Sequence, residues 1–348
     1  MHRLFFVLIS LIATSAFAVD VANLYQSQMP IASQSEEDRQ KQAPAILEKV
    51  ILKVVGDSAL LTANDLSPVL AQTEQLIQQY EYKQLNVISD DVTLPDQLAL
   101  RLLFNEPMLN QALSDIGLPI WSKSRPETII WLAVDNDNKR SIIASDSDAL
   151  IIVDSLNVAA QQRGVPILLP TMDLQDQAQV SFADLWGGFS ESIEQASQRY
   201  GAPIVLMAKV SVSGGASQIR WQAIINGELK QWQSQGDINL AITSGIGQLA
   251  DHLARQFTQV ISHYDAKQQV VAEVSNVRDY ADYARLMAYL NGLQYVSDVQ
   301  VVTMQAEQVE ISFNLQGDQA IFNQGLKLDK VLESTSTVSH LLQYRLLP

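Results

Sequence analysis

Apolar positions recur along this chain with two periods, and the switches between them mark out three stretches. In the first, about residues 19–121, positions 21–29 predict a strand. Ser35 then stands before Glu36, Glu37 and Asp38, an N-cap followed by acids suited to the positive end of a helix dipole. Ile46, Leu47, Val50, Ile51, Val54 and Val55 follow at helical spacing, and Gly56 ends the run. A second helix is predicted over 68–80, strands over 81–88 and 97–104, and a short helix over 106–116 that Gly117 stops. The order is β-α-α-β-β-α.

The second stretch, 125–265, mixes both periods. Strands are predicted over 128–134 and 140–144, joined by the polar turn Asp135-Asn136-Asp137-Asn138. A helix runs from Asp148 to a stop at Gly164, and an apolar strand over 165–169 lies between prolines. Gly187 and Gly188 precede a further helix that ends before Gly201. Positions 204–212, 218–225 and 228–235 then form a three-strand meander through Gly214-Gly215 and Asn226-Gly227, turn pairs that tolerate positive φ. Ile219, Trp221, Ala223 and Ile225 share one face of its middle strand. Ile242, Ile246, Leu249, Leu253, Phe257 and Val260 form one stripe of a long closing helix. Gly245 and Gly247 on that helix lack a third glycine or a P-loop lysine, and close packing on the sheet accounts for them.

The third stretch, 268–348, reads as strand 269–274, helix 278–293, strands 295–304 and 307–315, helix 319–332 and strand 341–346. Tyr280, Tyr283, Leu286, Met287 and Leu290 form the inward face of its first helix. This is β-α-β-β-α-β, the ferredoxin-like unit. The fold class is therefore a multidomain α+β and α/β chain: an N-terminal α+β domain, a central mixed-sheet α/β domain with meander and long helix, and a C-terminal ferredoxin-like domain. The first stretch reads as a looser version of the last.

Ahead of these domains, Met1-His2-Arg3 is a short basic start, Leu4 to Ile12 is apolar, and Ala16-Phe17-Ala18 is an A-x-A site. That is the layout of a secretory signal peptide spanning 1–18, cleaved after Ala18, with an apolar core too short for a membrane anchor. The expected location is the periplasm of a Gram-negative envelope. No later segment is apolar for long enough to span a bilayer, and no cysteine is present to carry an N-terminal lipid. The lack of cysteine also removes thiol nucleophiles, zinc thiolates and Fe–S clusters. An apolar fraction of 47% with 18% charged residues describes a folded chain with a substantial core. The formal charge of −15 repels nucleic acid, and no Lys/Arg cluster is visible to offset it, so no nucleic-acid partner is expected.

No motif selects a reaction. His252 and His263 are about three helical turns apart, roughly 16 Å, too far to share a metal, and no HExxH is present; His340 is isolated. Lys139 and Arg140 occupy the fifth and sixth positions of what would be a calcium loop beginning at Asp135. There is no G-x-S-x-G, and Trp186-Gly187-Gly188-Phe189-Ser190 has the glycines in the wrong order. No catalytic, metal or cofactor-binding residue is assigned, and no cofactor is expected. Trp121, Trp186 and Trp232 fall in loops or at a strand end, where a rigid amphipathic ring marks either a contact surface or a plug between domains. Trp131 and Trp221 belong to the core.

Val21-Ala22-Asn23-Leu24-Tyr25 and Ser33-Gln34-Ser35-Glu36-Glu37-Asp38-Arg39 resemble an uncharacterised exported family of proteobacteria, domain of unknown function 2066 (DUF2066). The similarity continues through 45–56, Leu118-Pro119-Ile120-Trp121, Ala183-Asp184-Leu185-Trp186-Gly187-Gly188 and Asp279-Tyr280-Ala281. The resemblance implies a signal peptide and an envelope setting, and it carries no catalytic residues. The central stretch also resembles the α/β domains of outer-membrane accessory factors of curli secretion and penicillin-binding-protein activation. Together these features lead to a non-enzymatic periplasmic binding, scaffold or accessory protein with an envelope protein as partner. The alternative is an envelope glycan or peptidoglycan hydrolase using two carboxylates about 5–9.5 Å apart. A small-molecule binder would instead need a large apolar pocket between domains.

Overall fold

The computed structural model describes residues 18–85, 97–136, 139–225, 227–257, 267–293, 296–316, 322, 326, 331–336 and 342–347. The segment 1–17, part of the polar turn at 137–138, Asn226, Val260, His263, His340 and most of the predicted helix 319–332 lie outside these residues. The chain is α+β, with sheets of two, three, five and six strands among the described residues.

The first apolar cluster gathers around helix α1 (Glu36–Val55). Ser35 caps it by accepting from the Asp38 N–H, and Ile46, Leu47, Val50, Ile51, Val54 and Val55 are all buried. They meet a three-stranded antiparallel sheet of β2 (Gln26–Pro30), β3 (Ile77–Leu85) and β4 (Gln97–Phe104), with β4 in the middle. The strand predicted over 21–29 is interrupted. Asn23 takes φ 60°, a left-handed turn that asparagine tolerates, so β1 (Ala18–Asp20) leaves to pair with β5 (Ser124–Pro126). The helix predicted over 68–80 is also absent as such. After α2 (Ser58–Ala63), short helices α3 (Ser67–Leu70) and α4 (Thr73–Leu76) replace it, and β3 starts at Ile77. Cross-strand pairing of Ile77 with Phe104, Gln79 with Leu103 and Tyr80 with Leu102 outweighs the helix propensity of the Gln-rich segment. Helix α5 (Glu106–Asp115) closes this part, capped by Asn105.

The six-stranded sheet is organised by β6 (Thr128–Asn136), which is buried from Thr128 to Val134. One edge of β6 runs parallel to β9 (Ile204–Ser213). Its other edge is shared between β8 (Ile167–Leu168), parallel to its first residues, and β7 (Lys139–Ile143), antiparallel to its last. The meander of β9, β10 (Ala216–Ile225) and β11 (Glu228–Gly236) extends the sheet. Ile130, Leu132 and Val134 face α6 (Leu150–Arg163) and α10 (Ile238–Phe257). Ile129, Trp131 and Ala133 face the opposite layer of α7 (Leu174–Gln179), α8 (Phe182–Gly187) and α9 (Ser190–Ser197). A strand covered on both faces needs apolar residues at every position, and this one has them.

Helices α7 and α8 occupy a stretch for which no element is predicted from sequence. Asp173 caps α7, while Ser181 and Asp184 form a reciprocal capping box on α8. Trp186 therefore rides on a helix rather than a loop. Trp232 lies within β11, directly opposite Trp221, and not at a strand end. The two indoles stack at 6.3 Å and 10°.

The last sheet has the order β13 (Val296–Gln305), β14 (Gln308–Gln316), β12 (Lys267–Ser275), β16 (Leu342–Leu346), β15 (Leu332–Ser336). β12 and β16 are parallel, and the remaining neighbours are antiparallel. β15 is an edge strand beginning at a residue assigned from sequence to a helix. On α11 (Tyr280–Gly292), Leu286 and Leu290 are buried as expected, but Tyr280 is 81% exposed. It is the first residue after the Asp279 cap, and its nearest ring is Tyr283 at 6.3 Å.

Gly245 shows how tightly α10 approaches the sheet. A Cβ there would lie 2.1 Å from Trp221 Cε2, and its carbonyl accepts from Trp232 Nε1 at 3.0 Å. Gly245→Ala is expected to lower stability by about 1–3 kcal/mol through overpacking. Gly292→Ala, where a Cβ meets nothing within 4 Å, should stay within about 0.5 kcal/mol. Urea midpoints of the two variants check this; equal midpoints would refute the tight contact.

Candidate functional site

The most connected polar cluster lies where the first and central parts of the chain meet. Arg125 on β5 is fully buried, and its guanidinium reaches the C-terminal ends of two helices. Nη2 donates to Lys53 O of α1 at 2.7 Å, and Nη1 donates to Gly164 O and Arg163 O at the end of α6, at 2.7 and 3.2 Å. Nε donates to Ser122 O at 3.0 Å. The cation also lies 3.9 Å from the Trp121 ring centroid. Helix C-termini carry partial negative charge and unpaired carbonyls, so they suit a planar cation with several donors. Burial pushes the guanidinium down from its ordinary value; Tyr25 opposes this and the Arg163 charge adds to it.

Arg163 continues the contact. It donates to Gly247 O, Gly56 O and Asp251 Oδ1 at 2.8, 2.6 and 2.6 Å. Asp251 on α10 in turn accepts from Ser58 N–H and Ser58 Oγ–H, at the first turn of α2. Arg255 pairs with Asp57 at 3.2 Å. Gly56 has φ +82°, and a Cβ there would sit 2.5 Å from Trp121 Cε3 and 2.6 Å from Ala254 Cβ. Nothing in this cluster is arranged as a reaction centre. It is a structural joint.

The three tryptophans singled out from sequence are dispersed. Trp121 is 1% exposed and packs into the central core beneath Arg125. Trp232 is buried between Trp221 and α10, with His252 at 5.2 Å. Burial pulls the His252 imidazole down, helped by Arg255 and Lys230. Trp186 alone of the three keeps part of its surface open. It stacks on Phe182 at 5.2 Å, and Arg140 lies 5.6 Å from the Phe182 ring. Phe189 and Leu174 nearby in sequence are 63% and 86% exposed.

Beneath these helices sits a polar knot that sequence reasoning missed. Asp176 is fully buried and accepts from the Met172 N–H, Arg199, Thr171 Oγ1–H and Tyr200 O–H. Arg199 forms two parallel bonds with Asp173, each 2.7 Å. These bonds hold the Asp173 carboxyl well below the usual range and raise Arg199. The sequence signal was available in Ser181-x-x-Asp184 and in Asp173 ahead of α7, both capping patterns. In the polar turn, Asp135 pairs with Arg140 at 3.1 Å. No group of three or more metal-ligating side chains is found among the described residues.

Residues 18–122 match the family model described as Domain of unknown function (DUF8605). That finding overturns the resemblance to DUF2066: the matched family is a different one, and it covers the first part of the chain. No curated protein matches the sequence. Among solved structures, the chain is similar to the C-terminal domain of LpoB from Salmonella enterica at 15% identity and TM-score 0.23, covering 38% of this chain and 93% of that one. It is similar to the N-terminal domain of Protein Y from Thermus thermophilus at 13% identity and TM-score 0.19, covering 38% and 98%. A third likeness is to TolB from Acinetobacter baumannii, at 12% identity and TM-score 0.21, covering 45% and 33%. Scores this low define neither a shared fold nor a shared role.

Two measurements test the joint. Arg125→Ala leaves several buried carbonyls without a donor and should cost more than about 3 kcal/mol, at about 1–3 kcal/mol per unsatisfied group. Denaturation detects this, and a loss below about 1 kcal/mol would contradict it. The second concerns Lys53, whose ammonium is pulled down from its ordinary 10.5 to about 8 by burial and then by Arg125. The folded chain releases this proton from about pH 8 while the unfolded chain holds it to about 10.5, so stability rises with pH across that window. The urea midpoint of the wild type should therefore climb relative to Lys53→Met between pH 8 and 10. A constant difference would show that Lys53 titrates normally.

Proposed function

We propose that this chain is a non-enzymatic periplasmic binding or accessory protein that engages an envelope protein through the surface of α8. The observation that carries this reading is the Phe182–Trp186 stack, with Phe189 and Leu174 exposed nearby in sequence. Aromatic rings and arginine on a pre-organised base are the residue types that dominate binding energy at protein interfaces. The base under α8 is its Ser181–Asp184 capping box and buried Leu185, while the Asp176 knot fixes α7 against the segment after α9. The three-part signal layout at 1–18 supports export, with cleavage after Ala18. Among the described residues no helix is long and apolar enough to cross a membrane.

Within this reading the chain comprises domains at 19–121, 125–265 and 268–348. The last is read as ferredoxin-like on the strand order β13-β14-β12-β16, and it departs from that antiparallel unit in its parallel β12–β16 pair and its added edge strand β15. One observation favours the hydrolase alternative: Asp20 and Glu106 both line a cavity of about 590 Å³ beside α11. Glu106 is ion-paired there with Lys123.

In-cell photo-crosslinking from position 189 of the tagged full chain, combined with Trp186→Ala, tests the proposal. The expected result is a discrete envelope protein captured by the wild type and reduced at least about tenfold in Trp186→Ala, the loss typical of an interface anchor. Unchanged capture, or capture of nothing by verified exported protein, would refute the α8 surface. Glycan cleavage that disappears in Glu106→Gln would replace the reading with the hydrolase.

A further inference from the structure

A second feature is out of keeping with so acidic a chain. A cavity of about 330 Å³ opens between the turn at 23–28, α1, β4 and the last turns of α6. Lys49, Lys53 and Arg101 line it together with Gln26, Gln161 and Gln162, and no Asp or Glu is among its lining residues. In a protein of formal charge −15, three cations around one polar cavity without a lining acid are a local inversion of sign.

Lys53 is the unusual member. It is 5% exposed, and its ammonium donates to Gln26 O and, at 3.4 Å, to Asn23 O. Both acceptors are neutral, and no carboxylate pairs with it among the described residues. The nearest charges make this worse. Arg125 of β5 binds the Lys53 carbonyl, and Arg163 of α6 lies beyond and is paired with Asp251. Lys49 shares the helix, and Arg101 of β4 is held by Glu81 of β3 at 3.5 Å and by Gln28. A buried ammonium facing like charges, with only carbonyl dipoles for compensation, is costly unless a counter-charge arrives. Amide side chains on the remaining walls offer donors and acceptors suited to hydroxyl or amide groups.

We propose that this cavity binds a small polar ligand bearing a carboxylate or phosphate, with Lys53 as the charge anchor, Lys49 and Arg101 at its rim, and the glutamines contacting its polar body. The ligand supplies the negative charge that the fold omits. This inference stands independently of the α8 surface, which lies on the other face of the central sheet.

Isothermal titration of the purified full mature chain tests it, using inorganic phosphate and glucuronate as separate probes. Saturable one-site binding of at least one probe is expected. Binding of phosphate alone assigns a phosphorylated ligand, and binding of glucuronate alone assigns a carboxylated sugar or sugar-like ligand. Lys53→Met should weaken the bound probe by about tenfold or more, the scale of a lost charge-assisted bond. Because Lys53→Met could perturb packing, Lys49→Gln with Arg101→Gln at the rim provides a second variant, expected to weaken binding about fivefold or more. No saturable binding of either probe up to about 10 mM, or binding unchanged in both variants, would overturn the proposal.

Discussion

A guanidinium without exposed surface sits where two helices end, and most of the first half of the molecule is arranged around it. Arg125 takes the carbonyls of Lys53, Arg163 and Gly164, groups that cannot be satisfied inside α1 and α6. Its five donors in one plane allow one side chain to serve both helix ends, which an ammonium on a flexible stem could not do. The glycines follow from this demand. Gly164 has φ +63°, and a Cβ there would lie 2.5 Å from Arg125 Nη1. Gly56 gives way to Trp121, which forms the floor under the cation. Arg163, Asp251 and Ser58 then carry the same connection across to α10 and α2.

This joint and the central sheet divide the work of the molecule. β6, covered on both faces, fixes two helical layers at once. The α6–α10 layer is committed to the joint and to the stacked indoles of Trp221 and Trp232. The opposite layer holds short helices whose rigidity comes from capping and from the Asp176 knot rather than from length. Short helices cannot sustain themselves on propensity alone, and α8, which carries Trp186, is held by its own capping box and by Leu185 buried in the layer against β6.

What could be read from sequence tracks how local the determining interaction is. α1 was legible from Ser35 to Gly56 because cap, stripe and stop are contiguous. The meander was legible because Ile219, Trp221, Ala223 and Ile225 alternate cleanly, and all four are buried. The helix expected over 68–80 failed at its end because partners far along the chain, from Leu102 to Phe104, draw Ile77, Gln79 and Tyr80 into β3. Trp232 looked peripheral because its partner Trp221 is set by hairpin register, not by neighbours. Arg125 left no trace at all. An arginine whose helix-end partners are main-chain carbonyls 38 to 72 residues away, and whose near partner Ser122 also offers only a main-chain carbonyl, has no side-chain pattern to recognise. The same holds for the basic cavity, which draws Lys53, Arg101 and Gln161 from three distant elements and is hidden within an acidic composition.

The joint also imposes an order in time. A chain that emerges from its amino end presents the α1 sequence first, and the Lys53 carbonyl finds its side-chain donor only when Arg125 has followed. Arg125 in turn lacks its Arg163 and Gly164 acceptors until α6 is complete. The first turn of α2 waits longer still, for Asp251. The leading segment thus reaches its finished form only after most of the chain has followed it. Until then it is a partly made structure dependent on what is still arriving.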